Sequence, residues 1–256
     1  MTNGRLEAAI PWVFVAALLL VWELACVGLG VPVFVLPRPS VVATSLYKQF
    51  GPIMDNSWTT LLRTLLGFAI AVVLGVVLGV AIGSSRLIYR GLYPVLVGFN
   101  SIPKVAVVPV FVIWFGIGTV PAVLTAFLVS FFPIAVNVAT GLATIEPELL
   151  DVMRSLGAKK RKILTKVGLP RAMPYFFASL KVAITLAFVG TIISETVAAN
   201  KGIGYLMMAA TANFDTPLLF AGLIVIAIMG IAMYALFAVV EQRMTFWAKR
   251  GDGLMT

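Results

Sequence analysis

The chain has 256 residues, 61% of them hydrophobic and only 11% charged, with a mean hydropathy of +1.06 and a formal net charge of +9. So little polar material cannot cover a water-soluble globule of this size. There is no histidine, which removes the commonest metal ligand and the usual general base near neutral pH, and the single cysteine, Cys26, allows no intrachain disulfide.

Long uncharged runs in lipid mean helices, because an open strand edge leaves backbone groups unsatisfied there. The first predicted span runs from about Ile10 to Gly30 and contains Glu23; the preceding stretch, with Arg5 and Glu7, leads straight into it and reads as an uncleaved first helix. An irregular segment, Val31 to Trp58, follows, with Ser40 as the expected N-cap of a short surface helix. The second span is about Thr64 to Ser84. The 41 residues from Val105 to Ile145 carry no charge, and as one helix they would be about 60 Å long, twice a bilayer's hydrocarbon core. They therefore belong to two crossings that turn at Gly116-Ile117-Gly118: a third span, about Leu92 to Phe115, interrupted at Pro103 and Lys104, and a fourth, about Val120 to Leu142. A polar loop occupies about Ala143 to Met173. The fifth span is about Pro174 to Val197, and a glycine-containing segment, Ala198 to Asp215, leads into the sixth. That last span is expected to be capped by Thr216, with Pro217 at its first position, and to end near Val240.

Six spans place both termini on the side of the polar loop. That side would hold Arg5, Arg86, Arg90, Arg154, Lys159, Lys160, Arg161, Lys162, Lys166, Arg171, Arg243, Lys249 and Arg250, against Arg38, Lys48 and Lys201 opposite. The asymmetry orients the loop and both termini to the cytoplasm and accounts for the basic balance without nucleic acid. No internal repeat or linker divides the chain, so residues 1–256 read as one transmembrane domain.

In the loop, Pro147 to Leu156 reads as a short helix, Gly157 as a corner, and Lys159 to Val167 as a second helix ended by Pro170. The order Asp151-Val152-Met153, Gly157, Val167, Leu169-Pro170 resembles the cytoplasmic signature of ABC importer permeases, usually headed Glu-Ala-Ala, from which the head departs here. Leu36-Pro37-Arg38-Pro39-Ser40, Ser101-Ile102-Pro103-Lys104, Trp114-Phe115-Gly116-Ile117-Gly118, Gly202-Ile203-Gly204-Tyr205 and Phe214-Asp215-Thr216 extend the resemblance, over about residues 10 to 247, to the class that serves nitrate, sulfonates and taurine. The resemblance implies an all-α polytopic protein of the type I ABC importer fold, working as a dimer in a bacterial inner membrane with two cytoplasmic ATPase subunits and an external substrate-binding protein. It also implies that the loop couples to the ATPase through Asp151, Val152, Met153, Ser155, Gly157, Ala158, Leu169 and Pro170.

Gly75, Gly79 and Gly83 share one helix face and predict a close helix–helix approach. Charges inside spans are costly, and Glu23, Lys104 and Glu195 qualify. Lys104, after a proline, is a candidate for contact with an anionic solute or for snorkelling to the interface. Glu195 is open to two roles, lining a polar pathway or pairing with Arg63 or Lys201. Asn100, Ser130, Asn137 and Ser194 complete the candidate lining.

The sequence holds no Gly-x-x-x-x-Gly-Lys-Ser/Thr loop and no nucleophile–base set. The expectation is a non-catalytic subunit that binds no cofactor itself, ATP and Mg being held by the partner ATPase. It would move a small solute such as nitrate, a sulfonate or a related organic acid by alternating access. The alternative is a secondary transporter driven by an ion gradient.

Overall fold

The computed structural model describes residues 4–246, so Lys249 and Arg250 lie outside the described residues. The described chain is helical: α1 Gly4–Gly28, α2 Pro39–Lys48, α3 Phe50–Ser84, α4 Arg86–Ser101, α5 Lys104–Phe115, α6 Thr119–Ala143, α7 Pro147–Ser155, α8 Lys160–Ile163, a π-helical turn Leu164–Gly168, α9 Leu169–Ala198, α10 Ile203–Ala212 and α11 Thr216–Met244. Among the described residues, five helices are long and apolar enough to cross a membrane, and the bent pair formed by α4 and α5 makes a sixth candidate. The structure is therefore an all-α polytopic membrane protein.

Several boundaries differ from the sequence expectation for identifiable reasons. The segment expected to be irregular up to Trp58 is helical from Phe50, so α3 has 35 residues and is about 52 Å long, more than lipid requires. Ser40 is not an N-cap: Pro39 opens α2, and the Ser40 backbone N–H (3.0 Å) and hydroxyl (2.7 Å) donate to Glu23 on α1. Thr216 is not the cap of α11 either. Asp215 takes that role, accepting from the Leu218 N–H at 3.1 Å, while Thr216 Oγ1 donates to the Phe34 carbonyl at 2.7 Å. The third span bends by 88° between α4 and α5, where Pro103 lacks an N–H and forces Ile102 into extended backbone.

Pro170 does not end a helix. It lies in the first turn of α9, where a missing N–H costs nothing, and the π turn carries the helical path from α8 into α9. The second helix of the loop is thus continuous with the fifth span.

The core consists of α3, α6 and α9. Within lipid the hydrophobic effect gives helices no reason to associate, so close packing must do it. Positions 67, 71, 75, 79 and 83 of α3 are Gly, Ala, Gly, Gly and Gly, a ridge of small residues four apart. A Cβ added at Gly79 would stand 2.7 Å from the Ala135 carbonyl oxygen, and one at Gly83 2.7 Å from Leu142 Cβ. On the other flank, Gly190 of α9 lies over Thr125 and Ala126, and Gly141 of α6 over Ala172. By contrast, α1 stands outside the core with most of its apolar surface exposed, held by the Glu23–Ser40 bonds and a Trp22–Phe220 ring contact at 5.7 Å.

Gly79→Val should drive α3 and α6 apart and cost about 1–3 kcal/mol, read as a lower Tm of the detergent-purified protein. Gly91→Ala, where a Cβ would meet nothing within 4 Å, should not lower it.

Candidate coupling hairpin and polar nodes

The polar loop folds as a hairpin of α7 and α8. α7 ends on a corner in which the Gly157 N–H donates to the Arg154 carbonyl (2.9 Å) and the Ala158 N–H to the Met153 carbonyl (3.0 Å). Gly157 has φ +73°, a left-handed conformation that glycine adopts without strain. Val152 on α7 (56% exposed) and Leu156 at its C-cap (77% exposed) lie four residues apart, joined by the Leu156 N–H to Val152 carbonyl bond, and therefore on one face. Beside them a concavity of about 620 Å³ is lined by Met153, Leu156, Gly157, Ala158, Lys159, Arg161, Lys162 and Thr165.

Asp151 sits next to this surface, its carboxylate 2.9 Å from Arg154, and Ser155 Oγ donates to the Asp151 carbonyl at 2.9 Å. Leu169 and Pro170 lie at the root of the hairpin, outside the concavity. That root is firm. Gly168 is buried against Leu142 and Leu164, and Arg171 pairs with Glu146 at 3.0 Å. The hairpin therefore cantilevers from α6 and α9.

In the broken span, Lys104 bridges the bend. Its ammonium donates to Asn100 Oδ1 at 2.8 Å and to the Asn100 carbonyl, at the partly negative carboxyl end of α4. Lys104 and Asn100 share a cleft of about 340 Å³ with Phe99, Phe127, Phe131 and Phe132. Ser130, Asn137, Ser194 and Glu195 do not line it. Ser130 Oγ donates to the Ala126 carbonyl (2.7 Å) and Asn137 Nδ2 to the Pro133 carbonyl (2.8 Å), both within α6. Ser194 is buried with its hydroxyl bonded to nothing among the described residues.

Glu195 forms a buried node at the opposite end of the core from the hairpin. Its Oε1 is 2.9 Å from Arg63 Nη1; its Oε2 accepts from Thr60 Oγ1 at 2.7 Å and the Gly204 N–H at 3.2 Å. Arg63 also donates to the Lys201 carbonyl (2.6 Å) and to Thr119 Oγ1 (3.2 Å). The first N–H groups of α10 are taken up by the same assembly, Gly202 donating to Asn56 Oδ1 and Ile203 to Thr60 Oγ1, each at 2.8 Å. Lys201, the other expected partner of Glu195, instead pairs with Asp55 at the surface at 3.4 Å. Asn56, Thr60 and Arg63 were not singled out together from sequence, although their spacing of four and three residues puts a polar stripe on one face of an apolar helix. Among the described residues no group of three or more Cys, Asp or Glu side chains is placed to hold a metal ion.

Comparison with known proteins gives a consistent picture. Residues 71–246 match the family described as binding-protein-dependent transport system inner membrane component. Over 232 residues the chain is 36% identical to the riboflavin transport system permease protein of Chloroflexus aurantiacus, covering 90% of this chain and 87% of that one. It is 30% identical over 245 residues to the formylaminopyrimidine transport permease protein of Halalkalibacterium halodurans (95% and 98% covered). It is 28% identical over 241 residues to the putative aliphatic sulfonates transport permease protein of Bacillus subtilis (93% and 87%). Among solved structures, a chain of the MetNI methionine ABC transporter superposes with a TM-score of 0.66 at 18% identity, covering 77% of this chain and 98% of that one. A chain of an amino acid ABC transporter gives 0.63 at 16% identity, with 81% and 97% covered. These two share the fold.

The buried ion pair should behave asymmetrically. Glu195→Ala leaves the Arg63 guanidinium buried without its counter-charge and should cost about 3–5 kcal/mol. Arg63→Met/Glu195→Leu should recover part of that loss. Thermal unfolding of the purified variants checks both, and an unchanged Tm for Glu195→Ala would remove the node from the stability of the fold.

Proposed function

The chain belongs to the family of binding-protein-dependent transport system inner membrane components, and on that premise we propose how this ABC importer permease couples ATP hydrolysis to transport. Two copies form the pathway, since one chain with up to six spans cannot readily enclose one, and a twofold pair is the commonest closed assembly. The assembly resides in a bacterial inner membrane with the α7–α8 hairpin and both termini in the cytoplasm. One ATPase subunit sits beneath each hairpin, and an external binding protein delivers the solute.

One observation carries this reading. An exposed apolar face, Val152 and Leu156, lies beside a basic rim on a hairpin whose path continues into a transmembrane helix. Large apolar side chains exposed among charged neighbours mark a contact surface. When the ATPases close on ATP, the two hairpins are carried together. Because α8, the π turn and α9 form one helical path, that displacement reaches the far end of α9 as a rigid-body movement. The ATPase needs to favour one state over the other by only a few kcal/mol for access to alternate.

The cargo is a small solute, within a range from nitrate, sulfonates such as taurine and related organic acids to the nitrogen heterocycles for which two of the relatives are named. The phenylalanine-walled cleft at Lys104 supports an organic solute over an inorganic ion.

Two measurements test the coupling. Gly157→Val places a β-branched residue at φ +73° and should cut ATP-driven uptake in proteoliposomes about tenfold or more, in line with a lost coupling free energy of roughly 1–3 kcal/mol, while membrane insertion is retained. Normal uptake would remove the corner from the coupling path. Ser155→Cys should crosslink to the copurified ATPase; the native Cys26 is buried, so the new thiol reports alone. Labelling of that thiol from outside intact cells would invert the proposed topology.

A further inference from the structure

The bend between α4 and α5 fixes the polar chemistry of the cleft beside it. An ammonium only donates hydrogen bonds, so the Asn100 amide must turn its Oδ1 toward Lys104, as it does at 2.8 Å. The Asn100 carbonyl accepts from the same ammonium. Both oxygens of Asn100 are thereby engaged, and its Nδ2 donates to nothing among the described residues. No acceptor side chain other than Asn100 lines the cleft, and Lys104 makes no ion pair among the described residues. The carboxyl end of α4 offsets only about half a charge, so the cleft keeps a free donor and a net positive charge.

The walls are aromatic. Phe99, Phe127, Phe131 and Phe132 line the cleft, with the Phe127 and Phe131 rings 5.5 Å apart at 50°. Such rings favour another flat ring, by offset stacking or edge contact, over a saturated body of equal size. At about 340 Å³ the cleft is at the small end of ligand pockets, so its occupant is compact.

Depth and backbone both argue against lipid as that occupant. α6 has 25 residues and is about 37 Å long, and Phe127 to Phe132 lie at its middle, so the cleft stands about halfway along a membrane-crossing helix. A cation without a counter-ion is costly against hydrocarbon at that level. The chain is also broken there, by the 88° bend, and broken backbone at membrane depth is tolerated only where it is buried in protein or lines a cavity. A phospholipid keeps its acceptors at the membrane surface and brings only hydrocarbon this deep.

We infer that this cleft holds the solute in transit and selects a planar ring that bears a carboxylate or sulfonate. The ring packs on Phe127 and Phe131, and the acid oxygens accept from Asn100 Nδ2 close to the Lys104 ammonium. Lys104 is a positioning residue: it fixes the amide and supplies the charge. The inference rests on the importer reading above and narrows its cargo. Cations are repelled, and inorganic anions leave the phenylalanine rings uncovered.

The test measures naphthoate binding to the permease–ATPase complex in lipid nanodiscs by equilibrium dialysis, with empty nanodiscs as the blank. The wild type should bind naphthoate saturably, and its saturated counterpart, decahydronaphthoate, about fivefold more weakly. Asn100→Asp keeps an oxygen for Lys104, so Tm should hold, but it exchanges the free donor for negative charge and should weaken naphthoate binding about tenfold or more. Lys104→Gln should weaken naphthoate about tenfold more than neutral naphthamide, a difference that a loosened bend alone does not produce. Equal naphthoate binding by wild type and Asn100→Asp, or equal binding of the flat and saturated acids, overturns the inference. So does conversion of the permease from dimer to monomer by Phe131→Ala in native mass spectrometry, which would make the cleft a contact between copies. The importer reading is checked separately, by ATP-driven uptake in proteoliposomes. Uptake of a solute by a complex that binds no naphthoate saturably overturns this inference alone. Saturable, Asn100-dependent binding by a complex that drives no uptake leaves the planar-anion site standing and overturns the importer reading.

Discussion

Close backbone contact between α3 and α6 is the constraint on which the rest of the structure depends. Lipid tails are as apolar as leucine, so helices gain nothing by hiding from them, and association must come from surfaces that fit. The ridge at positions 67, 71, 75, 79 and 83 of α3 leaves nothing larger than a methyl group over more than four turns and lets α6 lie directly on the backbone. The same α6 then takes α9 on its other flank through Gly141 and Gly190. Three helices become one rod, and both functional ends grow from it. The hairpin is rooted where Gly168 meets Leu142 and Glu146 meets Arg171, and the Arg63–Glu195 node closes the opposite end.

The two ends differ in how they are held, and the difference fits their roles. The Glu195 node satisfies a buried charge through three partners and pins the start of α10 by its own N–H groups, so it can only be kept whole or lost. The hairpin is tied at its base and otherwise presents exposed groups, including an exposed pair, Asp151–Arg154, worth little by itself. Its exposed apolar face is the surface proposed above as the ATPase contact. Lys104 follows a third pattern. Its ammonium is spent on the end of α4, so the residue fastens the 88° bend, and its stem lines the cleft.

Much of this was legible in the sequence. Span positions, the break near Pro103, the corner at Gly157 and the close-packing glycines follow from hydropathy, from proline's missing donor and from spacing alone. What escaped depends on tertiary partners. Ser40 and Thr216 have the side chains of helix caps, but Glu23 and the Phe34 carbonyl offered them better bonds, and Asp215 took over a cap. Local rules could not separate Arg63 from Lys201 as the partner of Glu195, because the choice depends on where α10 re-enters. The helical start of α3 at Phe50 was hidden by polar residues such as Asp55 and Asn56, which suggest a loop by composition yet serve the outer node. Gly157, Val167, Leu169 and Pro170 carry the family likeness, whereas Leu156 and the basic run line the concavity without belonging to that signature.

The wide turn at Leu164–Gly168 has a geometric effect on everything N-terminal to it. A π turn accommodates one residue beyond what an α-helix of the same height would hold. Each residue of an α-helix advances the winding by about 100°, and the wide turn absorbs its surplus residue without passing that rotation on to α8 and α7. The compass bearing of the hairpin is therefore buffered at this point of the chain. Loss of a single codon within the turn would let it close to ordinary helix and leave the bearing nearly intact, whereas the same loss further along the fifth span would swing the whole appendage round.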